Sequence, residues 1–347
     1  MAGTAAERLA EMLVGHVVVT MVALGHRLGL LDALAAGPAT AEEIAARAGA
    51  DPRYVREWLG ALVGAGFVEV DPAGATYRFA DGAEAVLSGP TAANLAPTAD
   101  MLVRLTGMAP EVGARFGDGG GIPPRVYAER AGEALGGSRR WLYEEHFVEG
   151  FLGAVPGLTD RLRAGARVLD VGCGSGQVAR LVADAFPAST VTGVDVVPEA
   201  IAAAAAAGGE RTNLHYRVAD AADLDGAPGS IDVVLAVDVV HDLADPAAAL
   251  RGIRRLLAPG GLFVMVDISY TGHLPALAGD PGATSAFGIS VLHCLPVSLA
   301  GGGAGLGAMW GHERAEALLA EAGFAVEARL PSPRPQNAIY VARPVGS

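Results

Sequence analysis

Lysine is missing altogether from this 347-residue sequence: its 25 basic residues are all arginine. That excludes a lysine base, a Schiff base and the lysine of a phosphate-binding loop. Basic residues are also outnumbered, since 38 acidic ones leave a net charge of −13. Such a chain lacks the positive field that nucleic acid or an anionic membrane requires, so the expected partners are small molecules or a second copy of itself. Cysteine is scarce. Cys173 and Cys294 stand far apart, one of them in a glycine-rich turn, which is the pattern of neither a disulfide framework nor a zinc finger and fits a reducing cytoplasm. The apolar run LVGHVVVTMVALGHRLGLLDAL near the start is broken by His16, His26 and Arg27 and follows no basic segment. It reads as a core helix rather than a signal peptide or membrane span. What is present is the composition of a globular protein, 51% hydrophobic and 5% aromatic, long enough for two or three packed units.

Residues 1–85 read as helical up to a hairpin. Thr40 followed by Glu43 is a capping box opening TAEEIAARAG, Gly49 ends that helix, and DPRYVREWLGALVGAG makes the next. FVEVDPAGATYRFA then turns at Asp71-Pro72-Ala73-Gly74, giving the helix, turn, helix, hairpin order of a winged helix. Between residues 40 and 80, four arginines face six acids, which is wrong for phosphate contacts. A dimerisation or substrate-covering module is therefore expected, and a winged-helix regulator is disfavoured. Residues 86–160 form a bridge punctuated by proline and glycine, expected to wall a site between domains, with Trp141, Tyr143 and His146 as candidate lining residues.

From residue 161 onward strands and helices alternate: RVLDVGCGSG, VARLVADAF, TVTGVDVV, an alanine-rich helix, LHYRVADA, IDVVLAVDVV and GLFVMVDI. This predicts an α/β fold with a doubly wound, Rossmann-like parallel sheet. Gly172, Gly174 and Gly176 after the first strand would let the backbone close on a ligand. Asp195 ends the second strand, placed for a ribose diol, and Asp220 ends the third, placed near an adenine. The GxGxG spacing, the second-strand acid and the VADA segment resemble the class I S-adenosylmethionine (SAM)-dependent methyltransferases over roughly residues 160–345. A dinucleotide fold would instead want GxGxxG, and Gln177 breaks that spacing. The resemblance implies SAM as cofactor, a seven-stranded sheet whose last, antiparallel strand is AIYVARP, and a cofactor set of Asp170, Gly172, Gly174, Gly176, Asp195, Val196, Asp220, Ala221 and Asp238.

VVHDLADP, following the fourth strand, sets His241 against Asp242, while Asp245-Pro246 already supplies a helix cap. The segment is similar to that of plant-type O-methyltransferases, which would make His241 a metal-free general base for a hydroxyl of a small metabolite. The whole chain also resembles the winged-helix C-methyltransferases that act on 2-oxo acids of the phenylpyruvate type. That resemblance implies a metal ion, iron favoured and zinc possible, held by His241, Asp242 and His293, with Arg125 binding the substrate carboxylate. C-methylation of a 2-oxo acid is the first expectation and O-methylation the alternative. Glycine-rich GGGAGLG at 301–307 lacks the ending of a phosphate loop and reads as a mobile loop.

Overall fold

The computed structural model describes residues 4–346. They form two compact units: one runs to Gly107 and takes in Glu133–Glu145, the other holds Met108–Gly132 and the chain from His146 onward. The segment 86–160 is therefore not a separate body, being divided between the two.

In the first unit the capping box of Thr40 and Glu43 opens the helix Ala41–Ala48, and Gly49 closes it in a left-handed conformation. Asp51 caps the helix Pro52–Gly64, with proline at its first position. Strands β1 (Val68–Val70) and β2 (Tyr77–Phe79) pair antiparallel as the wing. Leu59, Leu62, Ile44 and Leu34 make the centre of the core, and the Trp58 indole nitrogen donates to the Met21 carbonyl at 2.9 Å. The helix Ala5–Arg27 corrects one expectation, because only its last part is a core helix. Leu9, Met12, Leu13, Val14 and Val17 are 54% to 68% exposed. By length and composition this helix could cross a membrane, as could the segment Pro281–Gly302.

The second unit is built on seven strands: β3 (Arg167–Val171), β4 (Thr190–Asp195), β5 (Leu214–Val218), β6 (Ile231–Val237), β7 (Leu257–Ile268), β8 (Phe324–Pro331) and β9 (Asn337–Pro344). Their order is β5-β4-β3-β6-β7-β9-β8, with β9 antiparallel to both of its neighbours and the others parallel. The chain order reverses at β3, between β4 and β6, and open α/β sheets bind ligands beyond the carboxyl ends of the strands at such a point. Helices shield the sheet because their apolar stripes match it: Ala249, Leu250, Ile253 and Leu256 of the helix Pro246–Leu256 are buried in one cluster with Phe263 and Met265 of β7. β3 and β6 are buried over most of their length, which is why, Asp170 and Asp232 apart, they read as apolar runs rather than alternating ones.

Candidate active site

Each of the three loop glycines after β3 answers a different constraint. All three have positive φ, from 53° to 74°. A Cβ on Gly172 would lie 2.2 Å from Val239 Cγ2, and one on Gly176 would lie 2.4 Å from the Tyr216 hydroxyl, so these two glycines serve internal packing. Gly174 has nothing within 4 Å of that position, which leaves the turn open where a ligand would approach. Asp195 at the end of β4 braces the turn, one oxygen accepting from the Gly174 amide and the other from Val197, each at 2.9 Å. Each oxygen retains a lone pair for a hydroxyl donor. Asp220 caps a short 3₁₀ turn by accepting from Ala222 at 2.8 Å. Ala221 is buried, whereas Val196 and Val218 are exposed at the ends of neighbouring strands.

Asp170 is the anomalous member of this set. It is 1% exposed, and its Oδ2 has no hydrogen-bond partner. Burial, with the Asp195 charge added, pushes its carboxyl up to about 8. A buried acid with one oxygen unpartnered, beside a second acid and an open glycine turn, suits a cationic ligand. SAM, with a sulfonium and an ammonium, fits these residues. Asp238, expected in the cofactor set, also holds the chain's path. At φ 55° it is the one non-glycine residue with positive φ among those described, and its carboxylate is held by Asn337 Nδ2 at 2.5 Å and Arg334 Nη1 at 3.1 Å. The backbone turn that leaves β6 is fixed by this contact.

After that turn the chain enters a 3₁₀ helix, Val240–Asp242, which solves the problem posed by adjacent residues on opposite faces of a strand. His241 points inward, with Nδ1 2.6 Å from Asp267 Oδ1 and Nε2 3.3 Å from Asp242 Oδ1. Burial alone would lower the His241 pKa, but the Asp267 and Asp242 carboxylates outweigh it and hold it well above the ordinary imidazole range. The second contact is close without being aligned as a hydrogen bond, so Asp242 Oδ1 is buried and unpartnered. The other oxygen of Asp242 is 3.9 Å from His293 Nδ1. His293 and Cys294 are consecutive in a π-helical turn, Ser290–Cys294, whose wider cross-section lets both approach Asp242. Tyr127 supports that turn, donating from its hydroxyl to the Leu292 carbonyl at 2.8 Å and standing edge-on to the His293 ring at 4.7 Å.

The structure thus brings His241, Asp242 and His293 together, and adds Asp267, Cys294 and Tyr127. It does not bring Arg125, which is exposed two residues before Tyr127, about 200° around the helix Pro124–Gly137. His146 is exposed, Tyr143 is buried, and Trp141 carries the Arg140 guanidinium 4.8 Å above its ring. The 301–307 loop is tied down: Ala304 donates to the Ala244 carbonyl and Leu306 to the Ser298 hydroxyl, just beyond the His-Asp turn. Asp267 had a signal in the sequence, an acid inside the apolar strand FVMVDI. Cys294 had none beyond its place after His293.

Residues 169–265 match the methyltransferase domain family, and residues 16–88 match the Rv2258c-like winged HTH domain. Among curated proteins, the ubiquinone biosynthesis O-methyltransferase of Xanthomonas oryzae pv. oryzae is 38% identical over 117 residues, 33% of this chain and 48% of that one. Its counterpart from a Caulobacter species is 42% identical over 117 residues, 33% of this chain and 44% of the other. The chain spans about half the length of these curated relatives. Solved structures resemble it along nearly its whole length. Mitomycin 7-O-methyltransferase superposes with a TM-score of 0.72 at 20% identity, covering 98% of each chain. Human N-acetylserotonin methyltransferase in complex with SAM gives 0.70 at 20% identity, covering 99% of each. At such identities the likeness is one of fold. The chain carries a methyltransferase domain of seven-stranded, Rossmann-like fold behind an N-terminal winged-helix domain.

Proposed function

We propose that this protein is a SAM-dependent methyltransferase that places the methyl group on an oxygen of a small acceptor. The observation that carries the reading is the placement of two unlike centres at the carboxyl edge of one sheet. An open glycine turn follows β3 beside the buried Asp170, whose carboxyl is pushed up to about 8, and a polar cluster around Asp242 follows β6. The matched methyltransferase domain, and relatives that are named as O-methyltransferases, support it. Bound SAM would supply an electrophilic methyl group on its sulfonium, and the chain must then hold an acceptor oxygen in line and take its proton. On the cofactor side Asp195 and Asp220 accept hydroxyl and amine donors, and the exposed Val196 gives an apolar surface for a base. On the acceptor side the side chains of Asp242 and His293 are 18% and 16% exposed, whereas His241 is 3% exposed with carboxylates at both nitrogens. Asp242 and His293 therefore meet the acceptor and receive its proton, and His241 holds Asp242 from behind. A hydroxyl has no direct path to His241 itself.

A second reading, C-methylation of a 2-oxo acid, is favoured by the imidazole, carboxylate and thiol donors gathered around Asp242. It draws no support from Arg125, an exposed residue about 200° around its helix from Tyr127, which contacts the His293 turn. The test is transfer from SAM carrying a ¹³C methyl to phenols, catechols and phenylpyruvate in deuterated water. A methyl ether identified by its ¹³C shift is the expected product. A carbon-bound methyl, accompanied by exchange at the β-carbon of phenylpyruvate, would replace this reading with the second one. The homodimer expected from the sequence remains a proposal of the same kind, with the apolar stripe Leu9–Val17 as the face a second copy would cover.

A further inference from the structure

We infer that Asp238 is a specificity residue: by neutralising the Arg334 guanidinium at the carboxyl edge of the sheet, it makes the site select uncharged hydroxyl acceptors and turn away those that carry a carboxylate. The inference rests on the O-methyltransferase reading and narrows its substrate class. Asp238 leaves β6 three residues before His241, and its amide donates to the Val266 carbonyl of β7 at 2.8 Å, so it stands at the same edge as Asp242. Its side chain is 3% exposed and meets Arg334 Nη1 at 3.1 Å, whereas the Arg334 side chain is 25% exposed. The guanidinium therefore has its counterion on one side and water on another. The loop that carries it is braced. Ser332 Oγ donates to the Arg334 carbonyl at 2.6 Å and accepts from the Arg334 amide at 3.1 Å, Ser269 donates to the Gln336 carbonyl at 2.9 Å, and a Cβ on Gly150 would lie 2.7 Å from Pro333 Cγ. These contacts hold Arg334 at this edge independently of Asp238.

The turn itself does not ask for an acid. A φ of 55° needs only a residue that tolerates the left-handed region, and asparagine or glycine meets that need. What the carboxylate adds is charge. Each basic group around the His-Asp turn is committed to an acid: His241 to Asp267 at 2.6 Å and to Asp242 at 3.3 Å, His293 to Asp242 at 3.9 Å, and Arg334 to Asp238. A carboxylate on the acceptor would find no uncommitted cation there, and would meet Asp242, one oxygen of which is already buried without a hydrogen bond. Beside a neutral ion pair, an incoming anion is attracted by one member and repelled by the other, so it gains little and still loses its hydration. A phenol or alcohol avoids that cost. Selectivity of this kind is built by withholding a partner from the wrong ligand. The reach of the guanidinium is visible at Tyr270, just after β7, where burial and the Asp280 charge push the phenol up and Arg334 opposes them. A pair that fixed the turn after β6 and did nothing more would leave the charge of the acceptor without effect.

Catechol and 3,4-dihydroxybenzoate separate these cases, because they offer the same two hydroxyls and differ by one carboxylate. Methyl transfer to each is followed at saturating SAM, and Kd for each is measured by calorimetry on the full-length protein loaded with S-adenosylhomocysteine, which needs no turnover. Wild type should favour catechol by about tenfold or more in both KM and Kd. Asp238→Asn frees the guanidinium and should shift that ratio toward the carboxylated compound by about tenfold, a gain that mere loosening of the turn would not produce. Adding Arg334→Gln to Asp238→Asn should remove the gain. Arg334→Gln alone leaves Asp238 uncompensated and should widen the wild-type preference, which decides the matter if Asp238→Asn does not fold. Equal affinity of wild type for the two compounds, binding of neither, or an unchanged ratio in the folded single variants overturns the inference. Methyl ethers formed from both with equal KM would refute the specificity and leave the O-methyltransferase reading intact. A binding preference of the expected sign with no methyl ether would refute that reading and keep the role of Asp238.

Discussion

Replacing Asp170 with asparagine tests whether the floor of the cofactor site stores an uncompensated acid. In the folded chain the carboxyl is raised from 3.8 to about 8 by burial and by the neighbouring Asp195. Between those values the unfolded chain has released the proton that the folded chain still holds. Stability therefore falls as pH rises from about 4 to about 8, and flattens above. At about 1.4 kcal/mol per pH unit the full effect is roughly 2 to 6 kcal/mol. Asparagine has the same shape and no proton to lose, so the difference between wild type and variant should grow with pH in favour of the variant. Urea unfolding of the SAM-free proteins at pH 5, 7 and 9, followed by circular dichroism, measures it. A cation bound beside Asp170 should also pull its pKa down, so SAM binding at pH 7 should release a proton. The heat of binding would then differ between phosphate and Tris in wild type but not in the variant. Parallel stability profiles together with buffer-independent heats would refute the argument.

The order of elements was legible from the sequence because each carried its own physical mark. The capping box at Thr40 and the Asp51-Pro52 start delimit two helices within a residue of where they lie, and the buried strands β3 and β6 show as runs too apolar to face water on either side. The exposure of Leu13 was not legible, because apolar composition says that a helix wants a partner and not whether the same chain provides it. The site divides in the same way. Gly172 and Asp195 are tied to strand ends, so the alternation that places strands places them. His293 and Cys294 depend on a π-helical turn, whose extra residue shifts the chain after it by about 100° around the axis relative to an ordinary helix. No pattern of apolar spacing distinguishes the two geometries, nor does it say that Tyr127 is the residue of its helix that contacts the His293 turn.

Three further outcomes follow from the geometry. Gly172→Ala drives a Cβ to 2.2 Å from Val239 and should cost roughly 2 to 4 kcal/mol of stability, whereas Gly174→Ala meets open space and should cost about 1 kcal/mol while weakening SAM binding. Equal losses of Tm in the two variants would show that packing does not distinguish them. Leu13→Glu, within the exposed stripe of the first helix, should turn a dimer into a monomer in sedimentation velocity at micromolar concentration, and a wild-type monomer would remove the proposed interface. Asp238 separates strain from contact. Its φ of 55° is tolerated by asparagine and free to glycine, but costs alanine about 1 kcal/mol, while loss of the carboxylate strands the Arg334 guanidinium and the Asn337 amide. Thermal stability should therefore fall in the order Asp238→Asn, Asp238→Gly, Asp238→Ala, with the widest step wherever the larger energy lies. Because the turn also aims the 3₁₀ helix that carries His241 and Asp242, Asp238→Ala should shift the downfield proton resonance of the His241–Asp267 hydrogen bond, and Asp238→Asn should leave it in place. An unmoved resonance in the folded alanine variant would mean that the His-Asp turn holds its shape without the contact from Arg334 and Asn337.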